Sequence, residues 1–128
     1  NNHRFGLFDG VLIKDNHVAA VGGVGEAVRR ARQRVPHTLK VEVEIDELQD
    51  LKGALAAGVD VVLLDNFSIE DMKAAVTMTA GRCLLEASGG VTLDRIRAIA
   101  ETGVDFVSCG ALTHSARAID ISMEFTPR

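Results

Sequence analysis

A 128-residue chain with 14 basic and 18 acidic side chains carries a net charge of −4. It has no global positive field to gather nucleic acid or an anionic membrane surface, so any anionic ligand must be held by a local site. The 47% hydrophobic content suits one domain with a sizeable core, and no apolar run nears the roughly 20 residues that span a bilayer. The chain therefore reads as a soluble, cytoplasmic protein without a membrane or nucleic-acid partner. Five Phe with no Trp or Tyr offer no platform for stacking bases. Cys83 and Cys109 lie in separate apolar runs without a CxxC pairing and read as reduced core residues. Opening on Asn1-Asn2-His3-Arg4, without an initiator Met or a leading element, the chain is expected to be a piece of a longer protein.

The first apolar run, 11–13, carries directly into Lys14-Asp15-Asn16-His17, which aims Lys14 at the end of a buried strand. Gly22-Gly23-Val24-Gly25 lacks the GxGxxG register and reads as a turn. Val24, Ala27, Val28, Ala31 and Val35 then fall on one helical face. The run 41–45 alternates, with Glu42 and Glu44 opposite Val41, Val43 and Ile45; this pattern fits either a solvent-facing edge strand or carboxylates turned into a barrel mouth. Leu48, Leu51 and Leu55 form the next helical stripe, capped by Asp46 with Gln49.

The run 59–64 closes on the wholly apolar Val61-Val62-Leu63-Leu64, and Asp65, which follows it, would be nearly buried without a partner. Ile69, Met72 and Val76 follow as a helix capped by Ser68 with Asp71. The runs 83–85 and 104–109 flank a further helix, with Leu93, Ile96 and Ile99 on one face and Thr92 as its cap. Gly58, Gly81 and Gly103 stand where these helices stop. Gly58-Val59-Asp60-Val61-Val62 is echoed by Gly103-Val104-Asp105-Phe106-Val107, as a repeated βα unit would produce.

Alternating strands and helices predict an α/β fold of parallel strands with outer helices, either an open doubly wound sheet or part of a β/α (TIM-like) barrel. The polar groups favour the barrel: Lys14, Glu44, Asp65, Ser88-Gly89-Gly90 and Gly110 all fall at or beyond the C-terminal ends of strands, where barrel enzymes build their sites. Lys14 is suited to an anion. Glu44 and Asp65 are suited to Mg²⁺, held through water, or to a developing cation. Ser88-Gly89-Gly90, leading to a helix start at Thr92, offers backbone N–H groups to a phosphate, and Ser108-Cys109-Gly110 closes the next strand in a similar way. His37 and His114 lack any partner pattern and read as structural or exposed.

In order and spacing, Asn2-His3-Arg4, Gly6-Leu7, Asp9, Leu12-Ile13-Lys14-Asp15-Asn16-His17, Glu42-Val43-Glu44, Leu64-Asp65-Asn66, Glu86-Ala87-Ser88-Gly89-Gly90 and Gly103-Val104-Asp105 resemble the nicotinate-nucleotide pyrophosphorylase (carboxylating), or quinolinate phosphoribosyltransferase, family. The resemblance implies that residues 1–128 are the C-terminal portion of a catalytic β/α barrel domain, with an N-terminal domain and the first barrel strands lying outside the chain. It implies transfer of a phosphoribosyl group from phosphoribosyl pyrophosphate to quinolinate, with release of pyrophosphate and CO₂ and formation of nicotinate mononucleotide. On matching positions His3, Arg4 and Lys14 would bind quinolinate. Glu44 and Asp65 would face the ribose and its Mg²⁺, with Lys14, Glu44 and Asp65 forming the catalytic set. Ser88, Gly89, Gly90 and Gly110 would receive the 5'-phosphate. A homodimer or higher homo-oligomer is implied too, because the family takes one basic residue from the partner subunit, and the 128 residues alone are expected to be inactive. The alternatives are a paralogous barrel with another acceptor, such as the molybdenum-transport-associated homologues, another phosphate-binding barrel such as an isomerase, or a non-catalytic half-barrel.

Overall fold

A computed structural model describes residues 5–126. Its strands are β1 (Val11–Ile13), β2 (Val41–Ile45), β3 (Val61–Asp65), β4 (Leu84–Ser88) and β5 (Phe106–Val107). The helices are α1 (Asp15–Val21), α2 (Val24–Arg34), α3 (Leu51–Ala56, after a 3-10 turn at Leu48–Asp50), α4 (Ile69–Thr79), α5 (Ile96–Ala100) and α6 (Ala111–His114). The five strands hydrogen-bond in chain order, every pair parallel. A doubly wound sheet would reverse its order at a switch point and cover both faces with helices; steady progression in one direction is how a β/α barrel is built.

The register separates the two faces of the sheet. One carries the rows Ile13, Val43, Val62, Leu85 and Ile45, Leu64, Ala87, Val107. With Val28, Leu51, Met72, Ala75 and Ile99 from the helices these residues form the core, most of them almost fully buried. Burying a Val or Leu side chain stabilises by about 1.5–3 kcal/mol, so this packing decides the fold. The other face carries Leu12, Glu42, Val61, Leu84, then Glu44, Leu63, Glu86, Phe106, and at the C-terminal end Asp65 beside Ser88. The period-two alternation of β2 therefore turns Glu42 and Glu44 away from the helices, toward what is the interior side of a barrel.

Of the expected helical faces, Val24, Ala27 and Val28 on α2, Leu51 on α3 and Met72 on α4 are buried, while Ala31, Val35, Leu48, Leu55, Ile69 and Val76 pack half-buried against the core. Ser68 caps α4 by accepting the Asp71 N–H at 3.0 Å. Gly58, Gly81 and Gly103, all at positive φ, lie just past α3, α4 and α5.

Four expectations need correction. Asp46 makes no cap, because the 3-10 turn starts later, behind Glu47. Thr92 does not start a helix: its carbonyl accepts from both Arg95 and Ile96 N–H groups and closes a single turn, so α5 begins at Ile96. Only Ile99 of the expected stripe is buried, while Leu93 is 93% exposed in that turn. The run 104–109 pairs only at Phe106–Val107, where the sheet has its edge.

The repeated Gly-Val-Asp segments have a common structural function. Asp60 donates its N–H to the Val41 carbonyl at 3.1 Å and accepts the Val41 N–H on Oδ2 at 2.7 Å. Asp105 does the same to Leu85, at 2.9 and 2.8 Å. Each aspartate fastens the start of its own strand to a neighbour with one backbone and one side-chain bond. Among the described residues, no helix is long and apolar enough to cross a membrane.

Candidate active site at the strand ends

Lys14 lies immediately past β1 and is the residue from which α1 starts. Its carbonyl accepts the N–H groups of His17 and Val18, and its own N–H donates to His17 Nδ1 at 2.9 Å. This reciprocal closure fixes the backbone at the strand end and requires Nδ1 to be the unprotonated ring nitrogen. The Lys14 side chain reaches Glu44 of β2, with Nζ 3.0 Å from Oε2. That hydrogen bond and the Glu44 charge hold the ammonium above its ordinary pKa against the opposing effect of burial, with smaller help from Asp15 and Asp65.

Glu44 and Asp65 line one cleft of 310 Å³ together with Asp15, Asp46, Asp50 and the apolar Val18, Ala19 and Val24. Lys14 thus stands at the rim of a strongly acidic pocket. Among the described residues, no group of three or more His, Cys, Asp or Glu side chains converges as a metal cage. Mg²⁺ often takes only one or two protein carboxylates and keeps its other positions for water and substrate phosphate. Two carboxylates opening into one cleft fit that mode of binding.

Asp65 ends β3 opposite Ser88, the last residue of β4. The turn that follows has Gly89 at φ 82° and Gly90 at φ 56°, and Arg95 Nη1 donates to the Gly90 carbonyl at 2.8 Å. The expectation that this turn opens a helix at Thr92 is not met. The backbone N–H groups of this turn therefore lack the immediate support of a helix end.

The segment bearing Gly110 is fastened to β4 and the turn after it at three points. The Ser108 N–H donates to the Ala87 carbonyl at 2.9 Å, the Ser108 hydroxyl to Glu86 Oε1, and the Cys109 thiol to the Val91 carbonyl at 3.5 Å. Gly110 is the residue just before α6, and a Cβ on it would lie 2.7 Å from His114 Nε2. Burial pushes the Cys83 thiol above its ordinary range, which disfavours the thiolate.

The structure thus brings Lys14, Glu44, Asp65 and Ser88 to one end of the sheet and anchors both glycine segments to β4. His3 and Arg4 lie outside the described residues. Sequence reasoning includes Asn66 and Glu86 in motifs and Ser108 in a strand-closing loop but gives none of the three a role of its own, and it does not foresee the Glu86 and Ser108 bond or the acidic company of Asp15, Asp46 and Asp50. Glu86 is detectable, since it shares with Ser88 the same alternation that marks Glu42 and Glu44. The others meet only through the fold.

Comparison with known proteins gives a consistent result. The family model described as quinolinate phosphoribosyl transferase, C-terminal domain, matches residues 1–124. The chain is 46% identical over 125 residues to the probable nicotinate-nucleotide pyrophosphorylase [carboxylating] of Bacillus subtilis, covering 98% of this chain and 43% of that protein. It is 45% identical over 126 residues to the nicotinate-nucleotide pyrophosphorylase [carboxylating] of Homo sapiens, covering 96% of this chain and 42% of that one. The solved structure of the nicotinate-nucleotide pyrophosphorylase from Francisella tularensis superposes with a TM-score of 0.83 at 49% identity, over 94% of this chain and 43% of that chain. The chain therefore spans less than half the length of these relatives.

Proposed function

The chain belongs to the quinolinate phosphoribosyl transferase family, and from that premise we propose that it forms the strand-end half of an active site joining quinolinate to phosphoribosyl pyrophosphate. The products are nicotinate mononucleotide, pyrophosphate and CO₂. The observation that carries this reading is the row across the sheet's C-terminal edge, where a cation on β1, carboxylates on β2 and β3 and a glycine turn on β4 follow in order. Lys14, with His3 and Arg4, meets the pyridine dicarboxylate. Glu44 and Asp65 face the ribose, where negative charge stabilises the positive charge that develops at the anomeric carbon as pyrophosphate departs. Backbone donors of Ser88, Gly89, Gly90 and Gly110 receive the 5'-phosphate. Mg²⁺ would be held through water by Glu44 and Asp65, and when bound it neutralises the pyrophosphate that leaves.

The residues' own contribution is positioning. Holding acceptor and donor in reactive geometry removes much of the entropy cost of their encounter, and strand ends are rigid enough to do so. The proposal includes a homodimer or higher assembly of the complete protein. Its test is release of labelled CO₂ from carboxyl-labelled quinolinate by the full-length protein that contains this chain. Release that requires both phosphoribosyl pyrophosphate and Mg²⁺ is the expected result. No release, or release without the ribosyl donor, overturns the reading.

A further inference from the structure

We propose that Asn66 is a positioning residue that locks the carboxylate at the end of β3 to the glycine turn after β4, and so fixes the distance between a bound ribose and its phosphate. The assignment rests on the phosphoribosyl reading above. Among the described non-glycine residues only Asn66, at φ 55°, and Ala80, at φ 48°, have positive φ. Ala80 ends α4, where such a conformation closes a helix. Asn66 ends no helix. It takes the left-handed conformation directly after a strand, where an L residue is strained and Asn is among the least disfavoured. Strain of this kind persists only where the surroundings hold it, and it gathers at functional sites.

Three contacts hold it. The Asn66 N–H donates to the Ser88 carbonyl at 2.9 Å, extending the β3–β4 ladder one step beyond the Asp65 and Ser88 pair. The left-handed turn swings the side chain back, and Nδ2 donates to Asp65 Oδ2 at 3.1 Å. A carboxylate can only accept, so the amide nitrogen must face Asp65; Oδ1 is thereby directed to Gly89. A Cβ on Gly89 would overlap that amide and come within 2.8 Å of the Asn66 backbone nitrogen. One side chain thus orients the carboxylate proposed to face the ribose and forms the floor under the turn proposed to hold the phosphate.

A glycine at 66 would satisfy the left-handed backbone and keep the bond to Ser88, so Asn66→Gly isolates the work of the side chain. Asn66→Asp is the second variant, retaining size and tolerance of the conformation while losing the donor. In the full-length protein, ribose 5-phosphate affinity is expected to fall at least about tenfold in both variants, measured by calorimetry. The kcat/KM for phosphoribosyl pyrophosphate should fall by at least about as much, with KM for quinolinate changed less than about twofold and the melting temperature nearly unmoved. In an Asp65→Ala background, which removes the acceptor of the Asn66 amide, Asn66→Gly should cost little more, because the bonded pair is already broken. Unchanged ribose 5-phosphate binding in both variants, a full additive loss in that background, or no ribose 5-phosphate binding by the wild type overturns the proposal. Failure of the phosphoribosyl reading looks different: wild-type protein would release no CO₂ from quinolinate while Asn66→Gly still lost the sugar phosphate.

Discussion

Lys14 Nζ lies 3.0 Å from Glu44 Oε2, with about half of the lysine side chain exposed and the glutamate largely covered. The proposed quinolinate site therefore begins with its cation already satisfied by a carboxylate, and a dianion must compete with Glu44 for it. Removing the Glu44 charge should free Lys14 and relieve repulsion of the incoming dianion. An exposed ion pair is worth about 0.2–1 kcal/mol, so Glu44→Gln is expected to tighten quinolinate binding by up to about fivefold while turnover falls. Lys14→Ala should weaken binding by at least about tenfold, or ~1.4 kcal/mol. Calorimetric titration of the full-length protein checks both, and weaker quinolinate binding by Glu44→Gln would contradict the competition.

Asp65 faces the same cleft but touches the glycine side of the site, which separates its effect from that of Lys14. Charge placed beside a developing cation matters more in the transition state than in the ground state. Asp65→Asn should therefore lower kcat by roughly 10²–10³, as loss of one preorganised electrostatic group commonly does, with quinolinate affinity nearly retained. Steady-state kinetics alongside direct titration distinguish the two quantities. Equal losses in both would remove Asp65 from the ribosyl centre.

The elements most legible in the sequence are those whose burial is periodic. Val28, Leu51 and Met72 mark helices because one face must be apolar, and Val43 beside Glu44 gives β2 its alternation at once. Helix α1 escapes such reasoning because it buries no residue fully, and Val18 and Val21, which rest half-buried on the core, are too few to show a stripe; what starts it is the closure between the Lys14 backbone and His17, a local geometry that composition does not reveal. Leu93 misleads for the opposite reason, since its helical spacing points to the core although the turn at Thr92 leaves it in solvent. The site is legible where chemistry sits at strand ends, at Lys14, Asp65 and Ser88. Asn66 is not, because its meaning depends on φ and on the nearness of Gly89, which follows another strand.

Two glycines at similar backbone angles separate strain from sterics. A methyl group added at Gly58, φ 75°, would meet nothing within 4 Å, whereas one at Gly89, φ 82°, would run into the Asn66 amide and backbone. Gly58→Ala should cost only the conformational penalty, about 1–2 kcal/mol. Gly89→Ala carries that penalty plus the displacement of Asn66, so it is expected to cost about 2–4 kcal/mol and to abolish sugar-phosphate binding. Thermal unfolding of the full-length variants with and without ribose 5-phosphate measures both effects. Equal destabilisation by the two substitutions would mean that Asn66 yields freely.

Asp60 links pH to stability at the opposite end of the sheet. Burial raises its pKa, but the Val41 N–H and the Arg32 guanidinium, 2.7 Å from Oδ2, outweigh that and hold the carboxyl below its ordinary value. A carboxylate depressed by folding stabilises the native state fully above its unfolded pKa, near 4, and loses that contribution as pH falls through the lower folded value. Arg32 also donates to the Gly58 carbonyl at 2.8 Å, so the anion sits in a network that joins α2 to the starts of β2 and β3. Hydrogen bonds to a charged group contribute about 1.5–3 kcal/mol. Asp60→Asn is therefore expected to destabilise the full-length protein by about that amount at pH 7, and the gap in melting temperature should narrow as the pH drops below about 4. A gap that stays constant from neutral to acid pH would mean that shape rather than charge is what Asp60 supplies.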